Sequence, residues 1–275
     1  MNPAIMTAKL SAIHIYPVKS LGTVSPQQAT VTTRGLANDR RFMVVDSDGE
    51  FFTQREISRM ATVWVDLEDG RVTLSAPDVD AVTFDAEPVE QPSRMVHVWS
   101  SHVPAHAVSD EADVWLSSFL GTAAQLVYMP ESSERKIKAD YSPGGEVVSF
   151  ADGFPLLIAS EASLADLNAR IVQNGGNAIP MNRFRPNLVV SGCEAFAEDR
   201  LGEVRVGEAV FRAAKPCVRC QVTTTDQATG EIRGPEPLRT LATYRDSPDG
   251  VMFGMNLIPV KAGTVRVGDP VKFGS

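Results

Sequence analysis

The segment KPCVRC, residues 215–220, carries two of the three cysteines of the chain in a C-x-x-C arrangement. Thiols at this spacing can exchange disulfides, attack an electrophile, bind zinc or ligate a softer metal. A structural zinc site normally takes four cysteine or histidine ligands. Only Cys193 remains, and the four histidines all precede residue 107, so the sequence disfavours zinc.

A thioredoxin-like redox pair is a second interpretation of Cys217 and Cys220. Such a pair opens a helix that follows a strand, whereas the next residues, QVTTTD, are rich in β-branched side chains and predict a strand. Burial of both cysteines as small hydrophobic residues is a third interpretation. Their position after a proline and beside Arg219 favours an accessible loop thiol. The cysteine pair alone leaves these chemistries open.

The segment IYPVKSLG, residues 15–22, predicts a site for a small anion. Pro17 ends a predicted strand, so Lys19 and Ser20 lie at its mouth. An ammonium and a hydroxyl group placed there can bind a phosphate. The alternative for such a pair is a solvated loop.

Arginines in two further short segments indicate the same kind of ligand. GLANDRRF and RFRPN, residues 35–42 and 183–187, each place arginines at the start of a predicted strand. Because side chains alternate along a strand, Arg40 and Arg41 are predicted to face opposite sides. Guanidinium groups in loops beside strands suit phosphate binding, although a solvated surface is the alternative for any single one.

Composition limits the class of protein. The chain has 275 residues, 43% of them hydrophobic, a net charge of −8 and a pI near 5.1. These values predict a globular protein and disfavour nucleic acid or an anionic membrane as a partner. The sequence contains no apolar run of about 20 residues, and its first 20 residues lack the features of a secretory signal. Three cysteines, an odd number, favour a reducing compartment, so we predict a soluble cytoplasmic protein.

Short strand patterns dominate the sequence. RFMVVDSDGEFFTQ and TVWVDLEDGRVTLSA each predict a hairpin, with turns at residues 46–49 and at Asp69-Gly70. Helices are predicted for DEADVWLSSFL, for SEASLADLNARIVQNGG and for EPLRTLATYRD, the first of which covers residues 110–120. The polar segment ESSERKIKADYSPGGE predicts a linker or mobile loop. We therefore expect an α+β, β-rich fold with two domains, residues 1–130 and 131–275.

Several motifs, in this order, resemble the MOSC superfamily: IYPVKS, DRRF, FTQRE, SEASLADLN, FRPNLVVSG, C-x-R-C followed by TTTD and TG, and GTVRVGDPV. The resemblance runs from about residue 10 to residue 272 and is strongest to the branch of the mitochondrial amidoxime-reducing component and its bacterial relatives. It implies an N-terminal β-barrel-like domain packed on a MOSC β-barrel with a few helices. It also implies a molybdenum cofactor, molybdenum-molybdopterin, held between them.

The resemblance implies a role for each matching residue. Cys220 matches the thiolate that ligates molybdenum, and Cys217 matches a nearby cysteine that is not a ligand. The remaining matches bind the cofactor: Lys19, Ser20 and Arg40 its phosphate, and Arg185 and Arg219 its pterin end. One thiolate suits this cofactor because the pterin dithiolene already supplies two soft sulfur ligands.

Two positions depart from the family's pattern. Val218 stands between the cysteines where relatives often have serine, so a hydroxyl contact is lost and only a backbone contact can remain. Asn256 stands about where some relatives have tyrosine, which puts that cofactor contact or the adjacent substrate pocket in doubt.

The resemblance implies an oxidoreductase that cleaves the N–O bond of N-hydroxylated compounds: amidoximes, hydroxylamines or N-hydroxylated base analogues. Asp226 is a candidate catalytic proton relay, although an aspartate before Gln-Ala-Thr-Gly also suits a turn. Some relatives carry a fused iron–sulfur domain; this sequence ends at VKFGS, so electrons are expected from a separate ferredoxin- or cytochrome-type protein with its reductase. The alternatives are a cofactor carrier without turnover, or a sulfur carrier that forms a persulfide on Cys220.

Overall fold

Strands are the main regular structure of this protein, a computed structural model of which describes residues 8–88 and 93–274. The first 20 residues were predicted to lack a secretory signal, and the first seven of them lie outside the described residues. Along Arg71–Ala76, for example, Val72, Leu74 and Ala76 are buried while their neighbours are exposed or half-buried. This period of two turns one face of each sheet into the core.

The described residues contain seventeen strands. Their bounds are β1 Lys9–Ile13, β2 Gln28–Thr32, β3 Gly35–Leu36, β4 Phe42–Val45, β5 Trp64–Glu68, β6 Arg71–Ala76, β7 Val79–Asp85, β8 Ser93–Val98, β9 Ser101–Ala107, β10 Gln125–Tyr128, β11 Leu156–Ser160, β12 Leu188–Ser191, β13 Glu203–Val206, β14 Ala209–Val218, β15 Met252–Lys261, β16 Gly263–Arg266 and β17 Val271–Gly274.

Three α-helices lie within the same residues: α1 Asp110–Leu120, α2 Glu161–Gln173 and α3 Leu238–Leu241. The hydroxyl groups of Ser109 and Ser160 accept hydrogen bonds from the first turns of α1 and α2. α1 ends at Gly121, whose φ of 73° suits glycine. The predicted helices are confirmed, although α3 is a single turn.

The sheets join strands from distant parts of the chain. A seven-stranded sheet has the order β1-β12-β11-β15-β14-β13-β17, and a four-stranded sheet has the order β4-β10-β9-β8. Two three-stranded sheets have the orders β16-β2-β3 and β5-β6-β7. The predicted β-rich α+β class is confirmed, and both hairpins form, since β5 pairs with β6 and Val45 pairs with Phe51.

Two large hydrophobic clusters fill the core. One joins β4, β6 and α1 and includes Phe42, Leu74 and Trp115. The other lies on the seven-stranded sheet, where Leu10 of β1 packs in the same cluster as Phe211 of β14. Because β1 pairs antiparallel with β12, the loop that follows β1 lies close to the start of β12, where the His14 amide bonds the carbonyl of Asn187.

One local prediction needs correction. Residues 221–224 form a short 3-10 helix and not a strand, because Thr223 and Thr224 donate their hydroxyl groups to the carbonyls of Cys220 and Gln221. The segment predicted as a linker contains Arg135, which is buried and donates to the backbone carbonyls of Ser149, Ala151 and Asp152.

Candidate functional site

One cleft brings together all the residues that the sequence assigns to a cofactor. Its walls come from the loop after β1, the turn before β4, the segment before β11, the loop before β12 and the end of β14. The assigned residues that line it are Lys19, Ser20, Arg40, Arg185, Arg219 and Cys220. Segments more than 200 residues apart in sequence thus converge on one surface.

Cys220 presents an exposed thiol in this cleft. It follows the end of β14 and immediately precedes the 3-10 turn that begins at Gln221. Cys217 also lines the cleft but is half-buried, and its sulfur accepts a hydrogen bond of 2.9 Å from Arg219 Nη1. Cys193 packs instead against the core of the seven-stranded sheet, where burial raises the pKa of its thiol. The accessible thiol of the cleft is therefore that of Cys220.

Lys19 is almost fully buried at the base of the cleft. Its ammonium donates to the carbonyl of Phe150 at 2.9 Å and to Asp152 Oδ1 at 2.5 Å. Burial lowers the pKa of Lys19, against the opposing effect of the Asp152 carboxylate. Burial would raise the pKa of Asp152, but the Lys19 ammonium holds it far below its usual range. An ammonium has three donors, so one remains for a ligand.

Three of the assigned residues have a left-handed backbone. The φ angles of Ser20, Arg40 and Arg185 are 69°, 49° and 52°. Only eight described residues other than glycine have a positive φ, and three of these eight lie in this one cleft. Such backbone persists where the surrounding contacts hold it in place, and it is common at functional sites.

The buried ring of Tyr16 contacts two arginines of the cleft. The guanidinium carbons of Arg40 and Arg185 lie 4.4 and 4.2 Å from the centre of its ring. The Tyr16 hydroxyl donates to the carbonyl of Pro186 at 3.1 Å, which fixes the ring. Burial lowers the pKa of Arg185 to about 10, so the group still carries its charge at neutral pH.

Arg40 and Arg41 face apart, as predicted, but for another reason than strand alternation. Arg40 precedes β4 in a left-handed turn and donates to Asp39 Oδ2 at 2.6 Å and to Asn187 Oδ1 at 3.1 Å. Arg41 points away and bonds the carbonyl of Met129. Only Arg40 therefore lines the cleft.

The charges of the cleft favour an anion. Among the described residues that line it, one is acidic, Asp152, and five are basic: Lys19, Arg40, Arg55, Arg185 and Arg219. Two buried donors, Arg185 Nη2 and Arg219 Nε, have no hydrogen-bond partner in the described part of the chain. A buried donor of this kind is costly unless a ligand satisfies it. An anionic ligand with several acceptor oxygens matches this set.

Asp226, the predicted proton relay, is absent from the described residues that line the cleft. Its Oδ1 accepts from the amides of Ala228 and Thr229, and its Oδ2 lies 3.3 Å from Arg183 Nη2. Burial raises its pKa, but these amides and Arg183 outweigh burial and lower it. Its contacts are those of a turn-forming aspartate.

Several polar residues of the site were missed from the sequence. Asn187 is buried in the loop before β12, and its amide bonds Arg40, Asp39, Leu157 and His14. It closes the motif FRPN, and this position after a proline was the available signal. Among the departures, Val218 and Asn256 both line the cleft, and Asn256 donates to the carbonyl of Lys215 at 3.1 Å.

Comparison with known proteins agrees with this architecture. Residues 7–123 match the MOSC N-terminal beta barrel domain, and residues 145–272 match the MOSC domain. The fold and the cleft thus define a protein with an N-terminal MOSC barrel and a MOSC domain.

Named relatives cover nearly the whole chain. Mitochondrial amidoxime reducing component 2 of Rattus norvegicus is 34% identical over 95% of this chain and 82% of its own length. The corresponding protein of Homo sapiens is 33% identical over the same shares, and component 1 of Mus musculus is 33% identical over 95% of this chain and 81% of its length. The chain belongs to the MOSC family that contains the mitochondrial amidoxime-reducing components. In residues 8–88 and 93–274, no helix has the length and apolar character to cross a membrane.

Proposed function

We propose that this protein is a molybdenum-cofactor-dependent oxidoreductase that reduces N-hydroxylated compounds, among them amidoximes, hydroxylamines and N-hydroxylated base analogues. The observation that carries the proposal is the exposed Cys220 thiol in a cleft that is also lined by five basic residues and one carboxylate. The relatives' names support the reaction class, since they are called amidoxime-reducing components.

The donor set of the cleft fits molybdenum-molybdopterin. Cys220 would supply the soft thiolate ligand of the metal. Lys19, Ser20 and Arg40 would bind the phosphate, because a buried ammonium with one free donor and a guanidinium suit phosphate oxygens. Arg185 and Arg219 would bind the pterin end with the nitrogen atoms that now lack partners.

When bound, the cofactor supplies the two-electron chemistry that cleaves an N–O bond and releases water. The chain positions it and limits where a substrate can approach, because Cys220 lies on the open side and Lys19 at the buried base. Asp152, exposed beside Lys19, is held ionised, so it adds negative charge near the phosphate site and restrains the ammonium. Asp226 is not among the described residues that line the cleft, and we assign the proton to no side chain of this chain.

The electron donor is proposed to be a separate redox protein, of the ferredoxin or cytochrome type with its reductase. The three cysteines of this sequence are too few for an iron–sulfur cluster held by four. We further propose a cytoplasmic location from the odd number of cysteines; the relatives are named mitochondrial.

Metal and pterin analysis tests the proposal, with protein produced in a cell able to make the cofactor. We expect about one molybdenum and one molybdopterin per chain, and reduction of an amidoxime when donor proteins are added. Cys220→Ser should abolish reduction, whereas the matched change Cys193→Ser should preserve it. Full activity of cofactor-loaded Cys220→Ser would refute the proposal. Holoprotein that accepts electrons but reduces no substrate would indicate a cofactor carrier, and a Cys220 persulfide without molybdenum would indicate a sulfur carrier.

A further inference from the structure

Two motifs lack a role in the proposed function: FTQRE, residues 52–56, and TTTDQATG, residues 223–230. They come from opposite ends of the chain and meet beside the cleft through two glutamine amides. Gln54 Nε2 donates to Gln227 Oε1 at 3.1 Å, and Gln227 Nε2 donates back to Gln54 Oε1 at 2.9 Å. The two side chains form a closed amide pair.

The amide pair continues on both sides into the candidate site. Gln54 Nε2 also donates to the carbonyl of Ser20 at 2.7 Å. On the other side, Arg185 Nη1 donates to Gln227 Oε1 at 3.3 Å. Ser20 and Arg185 both have a left-handed backbone and lie outside any strand. The pair therefore links the backbone carbonyl of Ser20 to the side chain of Arg185, and these two residues line different walls of the cleft, the loop after β1 and the loop before β12.

The loops that carry the amide pair are themselves held firmly. Gln54 is about 1% exposed, and its loop is fixed by the Glu56 carboxylate, which accepts from the amide and the hydroxyl of Thr53. The second loop turns at Gly230, whose φ is 71°. A Cβ at Gly230 would lie 3.2 Å from Arg59 Cα, so this loop packs closely on the short 3-10 helix Ser58–Thr62 that follows the first loop. Because both loops are held by other contacts, the two glutamine side chains form a fixed link between the Ser20 loop and Arg185, which we call the strut.

We propose that Gln54 and Gln227 are positioning residues, which hold the Ser20 loop and the Arg185 side chain in place for the two ends of the cofactor. The inference rests on the proposed function for the identity of the ligand. Removal of the Gln54 amide breaks the bond to the Ser20 carbonyl and leaves Gln227 without its partner, and removal of the Gln227 amide breaks the bond to Arg185 and leaves Gln54 without its partner. Each substitution should therefore disturb both walls. A merely local role would disturb only the wall nearest to the substitution.

Hydrogen exchange of the cofactor-free protein tests whether one substitution disturbs both walls of the cleft. The variants are Gln54→Leu, Gln227→Leu and the double variant, with Gln173→Leu as a matched change on the exposed end of α2. The amides of Gly22 and Arg185, which bond the carbonyls of Val63 and Asn182, report on the two walls. In either single variant we expect the amides of Gly22 and Arg185 to exchange roughly tenfold faster than in the wild type. The amides of β4 should keep their wild-type rates, and Gln173→Leu should exchange like the wild type throughout. Faster exchange confined to the mutated wall would overturn the inference.

Binding of molybdenum-molybdopterin, released from a cofactor-loaded carrier, is the second readout. Each single variant should lose about tenfold in affinity, and the double variant should bind no more weakly than either single one, because the two amides act as one unit. A hundredfold loss in the double variant would mean independent contributions and would contradict the inference.

A conservative variant covers the case in which the leucine variants do not fold. Gln227→Glu keeps the acceptor for Gln54 Nε2 and for Arg185 Nη1, but it replaces the donor to Gln54 Oε1 by a carboxylate oxygen that repels this acceptor. We therefore expect faster exchange at both walls than in the wild type. Faster exchange confined to the wall of Arg185 in Gln227→Glu would contradict the inference. If the wild-type protein binds no cofactor, the proposed function fails, while the exchange experiment still tests the strut.

Discussion

Replacement of Asn187 by leucine should strongly destabilise the protein, because this side chain joins three segments of the site. Its amide nitrogen donates to Asp39 Oδ1 at 3.0 Å and to the carbonyl of His14 at 3.1 Å. Its oxygen accepts from Arg40 Nη1 at 3.1 Å and from the amide of Leu157 at 3.2 Å. Leucine has a similar volume and can replace none of these four bonds.

The size of the effect follows from the number of bonds. Asn187 is about 1% exposed, so water cannot replace the lost partners. At about 1 kcal/mol for each hydrogen bond, the free energy of unfolding should fall by about 4 kcal/mol. A loss of this size corresponds to a decrease in Tm of roughly 8 to 16 °C for a chain of this length. The protein should remain folded at 25 °C if its stability lies within the usual range of about 5 to 15 kcal/mol.

Urea unfolding of the two proteins measures this difference directly. Asn177→Leu makes the same chemical change at an exposed position and should alter the free energy of unfolding by less than about 0.5 kcal/mol. A loss below about 1.5 kcal/mol for Asn187→Leu, or one equal to that of the control, would refute the view that this amide fastens the site.

Two further predictions concern charge and backbone conformation. The pKa of Asp152 is lowered in the folded protein, so its stabilising effect is full above its unfolded value of about 4 and is lost as the pH falls. In urea unfolding, the difference between wild type and Asp152→Asn should therefore be larger at pH 7 than at pH 3, and an equal difference at both would argue against the Lys19 contact. Gly230→Ala should lower the free energy of unfolding by about 1 to 2 kcal/mol because of its positive φ. The close contact of the added Cβ with Arg59 should add a further loss. Gly121→Ala, with a similar φ and open space around it, measures the φ effect alone, and an equal loss in both variants would exclude the contact.

The sequence predicts well those features that depend on neighbouring residues. The bounds of α1 agree with the prediction because Ser109, the acidic first turn and Gly121 mark both ends locally. The 3-10 turn after Cys220 was predicted wrongly, since β-branched threonines suggest a strand unless their hydroxyl groups bond the preceding carbonyls. That choice depends on the path of the chain and not on the residue types.

The candidate site likewise has residues that the sequence predicts and contacts that it does not. Lys19, Ser20, Arg40, Arg185, Arg219 and Cys220 were assigned through ordered motifs, and the structure places them in one cleft. Their roles toward a cofactor stay predictions. The contacts that fasten the cleft could not be predicted, because Asn187 meets Asp39 across 148 positions and Gln54 meets Gln227 across 173. Buried polar pairs of this kind carry no periodic pattern in the sequence.

X-ray absorption at the molybdenum edge tests the central claim most directly, because it counts the sulfur atoms bonded to the metal. Wild-type protein loaded with molybdenum-molybdopterin should show one more sulfur ligand than loaded Cys220→Ser, while Cys217→Ser should match the wild type. The same sulfur count in wild type and Cys220→Ser would contradict the assignment of this thiol as the metal ligand.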